Sequence, residues 1–190
     1  MTLAVTVWGL GSLLFLAAAA VSVVRRLPLL VRAVPSVVLV VALLLAQTLQ
    51  LVPSPPGLPL GTLGIVAVCI VAVLAGSAVT GVVLGLAMRD DVERGQHGGI
   101  LVANVDEPVP ERPRPEVLRG GAVIGFLERF AIVGAALVGH LEIVAAVIAI
   151  KGLGRFTELD SAAARERFIV GTLTSTCWAG LATVAAIALR

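Results

Sequence analysis

The chain has no tyrosine, two cysteines, two histidines and only 14% charged residues among 190. Each scarcity closes off a class of protein. So little charge beside 58% hydrophobic residues leaves too little polar surface to coat a water-soluble globule, so the surrounding solvent is lipid. Cys69 and Cys177 both lie inside apolar runs, which supports neither a disulfide framework nor a paired metal-ligand spacing. His97 and His140 are expected on opposite sides of the membrane. Intramembrane hydrolysis needs a nucleophile with a base, or metal ligands, converging at one depth. Ser175, Thr174, Thr176 and Cys177 have no base nearby and read as helix-packing residues. The expectation is a protein that is not an enzyme and carries no metal or cofactor.

What is present is a series of long apolar runs. A hydrocarbon core of about 30 Å takes roughly 20 helical residues to cross. Six candidate spans follow: Leu3 to Val24, Pro35 to Val52, Thr62 to Met88, Ala122 to Val138, Leu141 to Ile150, and Phe168 to Leu189. Pro35 is placed at a helix start, where its missing N–H costs nothing. Gly139 and His140 separate the fourth and fifth runs, which read as a tight helical hairpin, with Glu142 and His140 forming a polar outer turn. Alternation of apolar and polar residues is absent, which disfavours a lipid-facing barrel. The first run has no Lys or Arg before it, and Arg25 and Arg26 follow it. That order is the reverse of a secretory leader's, so the run reads as a retained span despite the small residues Ala18 to Ala20.

Orientation follows from the basic residues, which stay on the cytoplasmic side beside spans. Threaded through six spans, twelve of the fourteen fall on one side: Arg25, Arg26 and Arg32; Arg89, Arg94, Arg112, Arg114 and Arg119; Lys151, Arg155, Arg165 and Arg167. The loop from Pro53 to Gly61 has none. The predicted fold is therefore an all-α bundle of six transmembrane helices with both termini outside. It divides into a three-span half (1–88), a cytoplasmic Gly- and Pro-rich loop (89–120), and a second half (121–190) made of a helical hairpin plus one helix.

The loop carries seven acids, Asp90, Asp91, Glu93, Asp106, Glu107, Glu111 and Glu116, against five arginines, so it offers no electrostatic footprint for nucleic acid. Pro108, Pro110, Pro113 and Pro115 forbid a continuous helix there and favour extended, solvated backbone. A docking strip for a cytoplasmic partner is the alternative. Gly99 to Val105 has the composition of a strand, though one strand does not stand alone.

Small residues recur four apart at Gly81 and Gly85, Gly121 and Gly125, and Gly171 and Ser175. In lipid such pairs let helix backbones approach closely, either within the chain or against a second subunit. The buried charges are more specific. Glu128 lies inside the fourth span, where an unpaired carboxylate must protonate or find a cation. About a turn at Gly139 and His140, Glu128 and Lys151 are equidistant. About the next turn, near Asp160 and Ser161, so are Arg155 and Glu166. Lys151 and Arg155 share a helix face, so a ladder of Glu128, Lys151, Arg155 and Glu166 is expected near the inner leaflet. Arg129 points about 100° away from Glu128 and is expected to snorkel to the cytoplasmic headgroups. The ladder either fixes helix register or makes Glu128 a titratable site in an ion path.

The residues Gly121, Ile124, Gly125, Leu127, Glu128 and Arg129, then Ala149, Lys151, Arg155, Phe156, Glu158 and Leu159, then Glu166, Gly171, Thr172, Leu173 and Ser175, resemble the C-terminal region of a family of uncharacterised bacterial multi-pass inner-membrane proteins. Members also carry a His, Asp and Gln motif in an N-terminal span; here the first two runs offer Gln47 and Gln50 but neither His nor Asp. The resemblance implies a fold for the last 70 or so residues and a bacterial plasma membrane, and no activity. The expected function is a noncatalytic scaffold or accessory subunit, with the lipid bilayer and a membrane-protein partner or second copy around it. A small proton- or ion-coupled transporter using Glu128 is the alternative.

Overall fold

The computed structural model describes residues 2–88, 121–156 and 162–190. These form seven helices: α1 (Thr2–Val23), α2 (Leu29–Thr48), α3 (Leu58–Leu74), α4 (Gly76–Ala87), α5 (Gly121–Leu137), α6 (Leu141–Phe156) and α7 (Ala162–Ile187). No strand occurs among the described residues. The 89–120 loop, with His97 and the stretch from Gly99 to Val105, lies outside them.

Three helices are individually long and apolar enough to cross a membrane, within Leu3–Val23, Leu29–Thr48 and Ala164–Ile187. The pair α3 and α4, bent by 43° at a short break, meets the same criteria only when taken together, as a broken span or a re-entrant loop. At 17 and 16 residues, α5 and α6 are roughly 25 Å long, short of a full hydrocarbon core.

Several boundaries depart from the sequence reading: α6 runs on to Phe156 and α7 begins at Ala162, each six residues outside the expected run, and two further departures shape the bundle. Helix α2 begins at Leu29, directly after Pro28, so Pro35 lies inside the helix instead of starting it. Pro28, the N-cap residue, supplies a start signal about two helical turns earlier, and Arg32 fits in the first turn because its Nε donates to Ser22 O at the end of α1, 2.8 Å away. The third apolar run is two helices with a break at Ala75. A Gly76–Ser77 pair sits at that point, and Gly/Ser pairs are among the few local causes of sharp bends.

The interior is rich in small residues, with Trp8, Phe15, Ile132 and Trp178 among the few large side chains buried with them. Ala67, Ala72, Ala75, Ala78, Ala179, Ala182, Ala185 and Ala186 are buried, while Leu3, Leu13, Leu45, Leu86, Phe130, Leu153 and Leu173 face outward. This inverts the water-soluble pattern and suits a bundle whose outer surface meets hydrocarbon, where close backbone approach drives helix association. Helix α3 is central, packed against α1, α7 and α5, whereas α6 leans chiefly on α5. Trp8 caps one end of the bundle: its Nε1 donates to Pro53 O at 2.9 Å, and its ring occupies the space a side chain at Gly64 would take. Near that end Gln47 Nε2 donates to Ala185 O at 3.0 Å, and Arg190 Nη2 donates to Leu137 O at 2.8 Å.

Candidate functional site

Every helix ends with carbonyls that have no partner in the helix. In lipid they must be satisfied from within the protein. The break at Ala75 creates such an end in the middle of the bundle, and three different donors meet it. Val71 O accepts the backbone N–H of Ala75 at 3.0 Å. Ala72 O accepts the indole N–H of Trp178, from α7, at 3.1 Å. Val73 O accepts Nε–H of Arg129, from α5, at 2.8 Å.

Arg129 is only 4% exposed. It does not snorkel to the headgroups as the sequence suggested, for two reasons. The helix break presents a carbonyl with the negative end of a helix dipole behind it, and Gly76 leaves a slot for the guanidinium. A Cβ at Gly76 would stand 2.4 Å from Arg129 Cδ and 2.5 Å from Nε. Arg129 Nη1 donates onward to Ser175 Oγ on α7 at 3.0 Å. One side chain thus bonds to α3, threads past the first residue of α4, and bonds to α7.

Its neighbour Glu128 faces elsewhere, as the 100° step per residue requires. Lys151 Nζ donates to Glu128 Oε2, tying α6 to α5. The two side chains are 18% and 13% exposed, so the pair is sheltered. The proposed second rung is different: the side chain of Arg155 and the turn 157–161 lie outside the described residues, and Glu166 is exposed on the first turns of α7.

At the other end of the hairpin, His140 Nδ1 and Glu142 Oε1 are 2.7 Å apart and both side chains are exposed. The turn is a Schellman closure, with Gly139 at φ +82, Gly139 N–H donating to Ala136 O and His140 N–H donating to Ala135 O. Here glycine supplies a backbone conformation that a side chain would strain.

The small-residue pairs divide. Gly171 packs on α4, where its Cβ position lies 3.7 Å from both Leu84 Cδ1 and Thr80 Cγ2, and Ser175 receives Arg129. A Cβ at Gly125 would meet Arg129 Nη1 at 3.3 Å. A Cβ at Gly85 would meet nothing within 4 Å, so that position is not a point of close helix approach. Gly81 and Gly121 are half-buried.

Sequence reasoning missed Arg129, Trp178 and Gly76 as a unit. The available signal was the length of the third apolar run, 27 residues where about 20 suffice, interrupted by Gly76–Ser77. Among the described residues no group of three His, Cys, Asp or Glu is placed to hold a metal ion. Comparison with known protein families, curated proteins and solved structures finds no match to this chain.

Proposed function

We propose that the protein is a noncatalytic scaffold or accessory subunit of an assembly in a bacterial plasma membrane. In this reading it crosses the bilayer six times with both termini outside. The bias of Lys and Arg supports the orientation, and the pairings of Trp8 with Pro53 and Arg190 with Leu137 support grouping the two chain ends at one face. The short α5 and α6 would cross with local thinning or snorkelling flanks, each at modest cost. The bacterial membrane rests on the resemblance of the last 70 or so residues.

The observation that carries the reading is the commitment of the intramembrane charges. Arg129 is bonded to Val73 O and Ser175, and Lys151 to Glu128. A permeation path needs groups that release and rebind. These groups hold helices together.

The competing reading is a small ion- or proton-coupled transporter using Glu128. One feature favours it: a discontinuous helix at mid-depth is where transporters bind substrate and coupling ions. Here the freed carbonyls of Ala72 and Val73 already hold Trp178 and Arg129. Purification in mild detergent after in-membrane crosslinking separates the two. A stoichiometric membrane partner, with no pH-dependent flux in proteoliposomes, is the expected result. A monodisperse monomer whose flux is abolished by Glu128→Gln would overturn the scaffold reading.

A further inference from the structure

Charge at the centre of the bundle does not balance. Glu128 is matched by Lys151, which leaves the guanidinium of Arg129 with no carboxylate within salt-bridge distance among the described residues. Glu128, already engaged by Lys151, acts on it only at longer range, and the carbonyl end of α3 faces it directly. A guanidinium has five N–H donors, and the two bonds to Val73 O and Ser175 Oγ leave N–H groups to spare. A buried cation with unused donors is costly in a low-dielectric interior.

Two orphaned hydroxyls lie in the same neighbourhood. Thr80 Oγ1 and Thr172 Oγ1 are buried and have no hydrogen-bond partner. Their placement follows from a closed circuit of contacts. Arg129 abuts Gly76, and Thr80 is one helical turn further along that face of α4. The Thr80 methyl faces Gly171 of α7, 3.7 Å from the position a Cβ there would take. Ser175, one turn beyond Gly171, accepts from Arg129. Thr172 lies three residues before Ser175, on the same side of α7. An unbalanced cation with spare N–H groups, flanked by two free hydroxyl donors, is the donor set that recognises an anion.

We propose that Arg129, Thr80 and Thr172 form a binding site for one small monovalent inorganic anion of the chloride class, between α4, α5 and α7. Such an ion neutralises the guanidinium and satisfies both hydroxyls without disturbing the bonds that cap α3. It acts as a structural counter-ion, so the proposal is independent of the scaffold reading.

The test is direct binding of radioactive chloride to the purified full chain in lipid nanodiscs, with gluconate as the exchange anion at constant ionic strength. The expected result is saturable retention at one site per chain. The Thr80→Val and Thr172→Val double variant keeps side-chain volume and removes both hydroxyl donors; it should weaken binding by about tenfold or more. Chloride should raise the unfolding temperature of the natural chain saturably, and that of the double variant much less. No retention above a nanodisc blank, or equal retention by natural chain and variant, overturns the proposal.

Discussion

At the residue scale, one side chain decides how the bundle closes. Arg129 reaches Val73 O only because position 76 has no Cβ. Gly76→Ala forces the guanidinium out of its slot. Overpacking of this kind costs about 1–3 kcal/mol, and the freed carbonyl adds to it, so thermal unfolding in detergent should fall clearly. Gly85→Ala is the control: a new methyl there meets nothing within 4 Å, and replacing glycine in a helix gains up to about 1 kcal/mol. An unfolding temperature at or above that of the natural chain is expected. Trp178→Phe keeps the ring and removes the donor to Ala72 O. Leaving one buried acceptor unsatisfied costs about 1–3 kcal/mol, and the loss should appear as reduced stability with unchanged helix content by circular dichroism.

At the scale of elements, the hairpin of α5 and α6 was the most legible part of the chain. Two residues, Gly139 and His140, mark its turn, and equal distance from a tight turn places Glu128 opposite Lys151 without further information. Exchanging them tests that register: Glu128→Lys or Lys151→Glu alone buries like charges and should lower abundance in the membrane, while the double exchange should recover most of it. Recovery no better than the worse single variant would show that the two helices are not held by this pair. Arg129 was not legible in the same way. Adjacency to Glu128 says that it points to a different face, but which helices lie on that face is a tertiary fact. The start of α2 was misplaced because Pro28 and Pro35 both satisfy the rule for a helix start, and only the bond from Arg32 to Ser22 O shows which one operates. The end of α2 carries a cost of its own. Gln50 adopts a left-handed backbone, φ 56, while Leu51 N–H closes onto Ala46 O. Gln50→Gly should stabilise the protein by about 1 kcal/mol, since a side chain in that conformation costs about that much, and a lower unfolding temperature would argue against the turn.

At the scale of the whole molecule, composition pointed to lipid as the solvent, and the positions of large and small residues agree with it: many alanines inside and many leucines outside. The number of apolar runs overstated what length and composition support one helix at a time. Three helices and one bent pair meet those criteria: the third run is broken at Ala75, and α5 and α6, at 17 and 16 residues, are too short. The bend in α3–α4 is also what gives the bundle its centre, where helices from both halves of the chain meet on two carbonyls. The most direct test of that centre is a solid-state NMR distance measurement in lipid bilayers, between guanidinium ¹⁵N of Arg129 and the carbonyl ¹³C of Val73, with Arg129→Lys used to assign the signal. A hydrogen bond between them requires strong dipolar dephasing, corresponding to a separation of about 4 Å. Absence of dephasing, with the guanidinium instead in contact with lipid phosphate, would place Arg129 at the headgroups and contradict the account.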